Sequence, residues 1–250
     1  MLNFKFVRNI SLVVIMSAVT AACTSKPDEL DRISDNSPQA RYQEAKELIN
    51  SDLYNRAINI LNDLETKYPY GPLSRQIQID LMFAYFKASR YEESLAAIDR
   101  FLKLNPNHPQ NDFVVYLRGL VNMEKGVNGF QEFFGMSGTD KDMESTRQAF
   151  NDFKKLIKQY PDSMHVSDAK TRMVTTLNNL AEYEIHIARY YMNRSSYVAA
   201  INRCKYVLEY YGQSTSLVPA LEILVDAYDK LGLDKMKADT QKVLDANQKS

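Results

Sequence analysis

Large apolar residues recur four and seven positions after a small residue in four segments of the chain. They are Leu61 and Leu64 after Ala57, Ile98 and Phe101 after Ser94, Phe153 and Leu156 after Ala149, and Cys204 and Val207 after Ala200. Positions three and four apart share one face of an α-helix, so each segment predicts a helix with a buried stripe and a small residue where a neighbour approaches closely. Twelve positions after the small residue stands Pro69, Pro106, Pro161 or Gly212. Proline lacks the N–H that would continue a helix, and glycine favours its end.

Upstream of each such segment runs a second amphipathic stretch. Tyr42, Ala45, Leu48 and Ile49 form one stripe; Tyr85 and the pair Ala188 and Tyr191 hold similar places in later stretches. The predicted helices therefore come in pairs: from 39 and around 57; 73–87 with 91–104; 112–123 with 143–159; 167–193 with 196–210; and 217–231 with 234–246. Pro69 and Pro106 are 37 residues apart, close to the ~34 of a tetratricopeptide repeat. The fold class is thus all-α, an α-solenoid of about five tetratricopeptide (TPR) helix hairpins. Such stacks usually present a binding surface and not a reactive centre.

The third unit breaks the period. Gly119 and Ala149 are 30 residues apart where 12 would be regular, which implies an insertion of 18 at about 124–142. Phe130, Phe133 and Phe134 lie there among Gly126, Gly129, Gly135 and Gly138, a segment not expected to form one uninterrupted helix. Either these rings fold back to plug the third hairpin, or they offer an apolar handle to a partner. Gly119 is the one glycine expected inside a helix, where two backbones need its space. The fifth pair matches the repeat poorly, as befits a cap.

At the other end, Lys5 and Arg8 precede an apolar run over 10–19 and then Thr20, Ala21, Ala22 and Cys23. The run is shorter than the ~20 residues of a spanning helix, so 1–22 reads as a cleaved export signal. Small residues before Cys23 resemble the lipobox of bacterial lipoproteins, in which that cysteine carries N-acyl and S-diacylglycerol lipid and becomes the first residue. Thr24 follows where an aspartate would resemble an inner-membrane retention signal. The expectation is therefore an anchor on the periplasmic face of the outer membrane. Residues 23–38, with two prolines and four acids, read as a lipidated flexible tether. An N-terminal half of two repeats (39–110) and a C-terminal half of three (111–250) follow.

Loss of 1–22 leaves 29 basic against 31 acidic residues, net −2, so no nucleic-acid partner is expected. Only Cys23 and Cys204 occur, and lipidation of one removes any intramolecular disulfide; Cys204, on a repeat stripe, reads as a small buried hydrophobe. His108, His165 and His186 are scattered without metal-ligand spacing, and no phosphate-binding loop or nucleophile elbow is present. Glu182 and Glu184 beside His186 read as a solvated helix face. The chain is expected to be no enzyme and to need no cofactor. Of its 16 tyrosines, Tyr70, Tyr183, Tyr190 and Tyr197 are spare from the repeat pattern and suit a peptide groove.

Longer stretches go beyond the sparse repeat consensus. YPYGPLSRQIQIDL over 68–81, AIDRFLKLNPNHP over 97–109, YLRGLVNM over 116–123, Phe133-Phe134-Gly135 and Ala188-Arg189-Tyr190-Tyr191 together resemble the BamD (ComL) family, lipoproteins of the outer-membrane β-barrel assembly machine. The resemblance implies five repeats on a lipid anchor that bind the periplasmic domains of BamA, hold the BamC lipoprotein and receive unfolded outer-membrane proteins by their C-terminal segment. It also implies that Asn202-Arg203 contacts BamA and that the turn of Tyr68, Pro69, Tyr70 and Gly71 serves substrate reception. Pro69 and Gly71 have a turn-making role to fill in any case. The family's arginine two positions before Ala57 is absent, since Asn55 stands there with Arg56 beside it. A pilotin-like TPR lipoprotein and a DNA-uptake lipoprotein are the rival readings; the slightly negative charge disfavours the second.

Overall fold

The computed structural model describes residues 37–136 and 140–248, with side chains described outside 127–142. Among these residues every regular element is an α-helix. Helix α1 (Pro38–Asn50) pairs with α2 (Tyr54–Lys67), α3 (Ser74–Lys87) with α4 (Tyr91–Leu104), and α5 (Asn111–Met136) with α6 (Asp140–Gln159). Then α7 (Val166–Asn193) pairs with α8 (Tyr197–Tyr210), and α9 (Leu217–Lys230) with α10 (Asp234–Asn247). Consecutive helices pack together along the chain, and the main contacts that skip a helix join α3 to α5 and α7 to α9. Each unit touches its neighbours, as in a TPR solenoid. No helix among the described residues is long and apolar enough to cross a membrane.

Two turns alternate. Within hairpins the chain passes through a left-handed residue: Asp52 (φ 59°), Ser89 (59°), Ser195 (56°) and Gly232 (67°). The next N–H then reaches back five residues, from Leu53 to Leu48, Arg90 to Tyr85, Ser196 to Tyr191 and Leu233 to Tyr228, at 2.8–2.9 Å. This closure satisfies a carbonyl that the helix end leaves free. Between hairpins, the N–H groups of Tyr68, Asn105, Tyr160 and Tyr211 donate to the carbonyls of Leu64, Phe101, Leu156 and Val207 at 2.8 Å. Three residues on, Gly71, His108, Ser163 and Ser214 donate to the carbonyls of Tyr68, Asn105, Tyr160 and Tyr211.

Burial follows the sequence pattern. All eight apolar residues at the +4 and +7 places are at most 2% exposed, and Ala57, Ser94, Ala149 and Ala200 are fully buried. Ser94 is tolerated because its hydroxyl donates to the Met82 carbonyl at 2.9 Å. Each fully buried Leu, Ile or Phe contributes about 1.5–3 kcal/mol. The core continues across the boundary expected at 110, since Ile98 and Phe101 pack with Val114, Leu117 and Val121.

Two expectations are corrected. Helix α1 begins at Pro38, inside the expected tether: Ser37 Oγ accepts from the Ala40 N–H at 3.1 Å, and Pro38 takes a position that needs no N–H. Residues 23–36 of that tether lie outside the described residues, as does the signal over 1–22. The part of the insertion that bears Phe130, Phe133 and Phe134 is helical, contrary to expectation, because α5 runs unbroken through Gly126, Gly129 and Gly135 to Met136. Gly126 serves packing there: a Cβ on it would stand 2.4 Å from Thr146 Oγ1, so it lets α6 close on α5. A helical glycine costs only ~1 kcal/mol, which such a contact offsets. Further, α7 has 28 residues, twice the 14 of α8. In α10 only Leu244 is buried, the polar outer face of a cap.

Candidate functional site

The turn between α2 and α3 carries the first candidate surface. Tyr70 is 95% exposed and Tyr68 40%. Tyr68 also walls a hollow of about 350 Å³ with Arg41, Asp63, Leu64 and Lys67. The two cations pair only with neighbours on their own helices, Lys67 with Asp63 at 3.0 Å and Arg41 with Glu44 at 3.4 Å. Exposed pairs of this kind are worth little and exchange readily. The hollow can therefore take an aromatic group against Tyr68 and an anion against Arg41 and Lys67.

Pro69 ends α2 as expected, but Gly71 is not needed for the turn. His108, Ser163 and Ser214 make the same backbone bond in the later turns. The φ of Gly71 is not positive, and a Cβ there would meet Tyr68 at an ordinary 3.6–3.7 Å. Gly71 thus makes the turn's hydrogen bond, but neither its φ nor its surroundings call for glycine in particular.

The second surface is on α8. Asn202 is exposed, and the Arg203 side chain is 42% exposed while its Nη1 donates to Glu184 Oε2 of α7 at 3.0 Å. Glu184 itself is only 8% exposed. It is no solvated-face residue, and that expectation is corrected: the carboxylate turns inward because a cation from the next helix meets it. Burial works against the Arg203 charge, yet the Glu184 carboxylate outweighs it and raises the guanidinium pKa. Val198, Asn202, Tyr206 and Tyr210 lie on successive turns of the same helix and are all exposed, with the Tyr206 and Tyr210 rings 4.5 Å apart. An arginine with a half-open fork beside an aromatic row has the makings of a docking anchor.

The four spare tyrosines do not form one groove. Tyr70 and Tyr190 are exposed, but Tyr183 and Tyr197 pack against the core around α7 and α8. Phe130, Phe133 and Phe134 have backbone in α5; the plug and handle readings concern side chains outside the described set. Cys23 lies outside the described residues as well. Cys204 is fully buried, and burial pushes its thiol up to about 12, so it is no nucleophile. His108 packs edge-on to Phe101, and His165 stacks on Tyr116 at 4.5 Å. Among the described residues no group of three His, Cys, Asp or Glu side chains could hold a metal ion.

Sequence reasoning missed the buried acids. Asp80 accepts from Tyr42 at 2.5 Å and from Lys46 and Gln76 at 3.2 Å, and Asp152 pairs with Arg118 at 2.7 Å. Asp152 and Arg203 sit three positions after Ala149 and Ala200, so one repeat place carries an acid in α6 and a base in α8. A charge on the buried stripe was the available signal.

With this geometry in hand, comparison with known proteins identifies the family. The model of the YfiO family, described as outer membrane lipoprotein, matches residues 34–244. Outer membrane protein assembly factor BamD of Vibrio cholerae is 37% identical over 225 residues, which cover 90% of this chain and 92% of that protein. The BamD of Neisseria meningitidis serogroup A is 35% identical over 243 residues, 97% of this chain and 91% of its own. That of Haemophilus influenzae is 30% identical over 241 residues, 96% and 90%. The chain belongs to this YfiO, or BamD, family.

Proposed function

We propose that this chain is an assembly factor for outer-membrane proteins that acts as a scaffold and receptor, without catalysing a reaction. A lipid on Cys23 holds it at the periplasmic face of the outer membrane, where its hairpins dock the periplasmic domains of BamA, hold BamC and receive unfolded barrel proteins. Similarity to BamD proteins over nearly the whole chain supports the assembly role. The half-exposed Arg203 beside its aromatic row carries the docking assignment. Its free N–H groups can grip a partner carboxylate while Glu184 fixes the guanidinium's orientation. The Tyr68–Gly71 turn and its hollow receive the client, and the solenoid contributes orientation and local concentration, with no energy of its own. Multiple acyl chains are required for a stable anchor, since one binds only marginally.

A pulldown from detergent-solubilised envelopes tests this. The wild-type chain is expected to recover BamA. A variant carrying both Arg203→Leu and Glu184→Leu is expected to recover about tenfold less, the loss of one charge-assisted contact, with an unchanged circular dichroism spectrum. Undiminished recovery removes Arg203 from the interface; recovery of a secretin or DNA in place of BamA rejects the function.

A further inference from the structure

Helices α4, α5 and α6 enclose a polar crevice of about 320 Å³ that neither candidate surface uses. Arg118 of α5 lies at its centre. Its Nε donates to Asp152 Oδ1 at 2.8 Å, and its Nη1 to Asp99 Oδ1 at 3.0 Å. Asn122, one turn along α5, donates its Nδ2 to Asp152 Oδ2 at 2.9 Å. The Asn122 Oδ1, however, accepts nothing, although the residue is only 3% exposed and lines the crevice. Buried amide oxygens are nearly always bonded, so this one awaits a donor.

Charge points the same way. Two carboxylates, Asp99 and Asp152, face one guanidinium, which leaves the crevice one positive charge short of balance. Asp99 is open to solvent, its side chain 63% exposed with only Oδ1 engaged. The nearby Lys125 is already paired with Glu92 at 2.6 Å. Gln148 and Asn151 add amide side chains to the lining, and Leu95 an apolar one.

We propose that this crevice receives a single arginine side chain from a docking polypeptide. A guanidinium brings several coplanar donors, enough for Asp99 and, after a side-chain adjustment that uncovers it, the buried Asn122 oxygen, and its methylene stem lies along Leu95. An ammonium is a compact point charge that satisfies fewer of these acceptors. The crevice is built from the third hairpin and α4, apart from both surfaces described above, so it stands or falls independently of the assembly role.

The test is a titration of the full-length protein, labelled with nitrogen-15, with N-acetylarginine methylamide. The side-chain amide signals of Asn122 and Gln148 are expected to shift saturably. Binding should weaken about tenfold or more when N-acetylcitrulline methylamide replaces the probe, and likewise in Asp99→Asn, which keeps the hydrogen-bond acceptor and removes the charge. Asp99 is exposed, so the variant keeps its fold, and its backbone spectrum verifies that. Absence of a saturable shift, an equal response to citrulline, or indifference to Asp99→Asn overturns the proposal. An equal response to N-acetyllysine methylamide overturns the assignment to arginine.

Discussion

Replacing Arg203 by leucine separates docking from stability. Glu184 is 8% exposed and its cation 42% exposed. Removing one member of a fully buried pair costs about 3–5 kcal/mol, because a desolvated charge is left behind. An exposed pair is worth under ~1 kcal/mol. The Glu184–Arg203 pair lies between these limits, since water entering beside Leu in place of Arg rehydrates part of the carboxylate; a loss of about 1–3 kcal/mol is expected. The second change, Glu184→Leu, removes the stranded charge and should return stability to within about 1 kcal/mol of wild type, as apolar replacement of whole pairs does elsewhere. The two changes must then be non-additive by about 1–2 kcal/mol. Urea titration followed by circular dichroism at the helical band reads this directly, and a chain of this size shifts its Tm by roughly 2–4 °C per kcal/mol. If Arg203→Leu alone leaves stability unchanged, or if the double variant loses the sum of the two single losses, the ion pair does not hold α7 to α8 and the reasoning fails.

Three more outcomes follow from the packing and turns. A Cβ on Gly119 would stand 2.6 and 2.8 Å from ring carbons of the fully buried Phe153; Gly119→Ala should therefore lose up to about 2 kcal/mol despite better helix propensity, and Gly119→Leu more, by the same titration. Ser89→Gly should gain about 0.5–1 kcal/mol, seen as a raised Tm, because φ there is 59°. Cys204 should resist alkylation at pH 8 until the protein unfolds. Because its folded pKa of about 12 lies above the ordinary 9.0, its contribution to stability is complete below pH 9 and is lost as pH climbs toward 12.

The parts legible in the sequence were local. Leu61 and Leu64, or Phe153 and Leu156, are one turn apart on a single helix, so their spacing alone reveals a buried face. The proline or glycine after each stripe marks its end for an equally local reason. Turns inside the hairpins were less visible, because Asp52, Ser89 and Ser195 occupy left-handed positions where glycine is the usual sign. Gly71 is a turn residue as it looked, yet glycine is not required there, since His108, Ser163 and Ser214 make the same bond. Charge partners were out of reach: Glu184 meets Arg203 across 19 residues, Asp152 meets Arg118 across 34, and Asp80 meets Tyr42 across 38. Such pairs depend on which helix faces which, and a single helix carries no record of that.

The opposite polarity of the third and fourth hairpins makes their second strands of helix non-exchangeable parts. Were α8 grafted in place of α6, Arg203 would turn toward Arg118; the reverse graft would bring Asp152 toward Glu184. Like charges in these partly buried seams repel. The array thus carries its own address labels, which steer α6 and α8 each to its own partner helix during folding and away from the equivalent place in the neighbouring repeat.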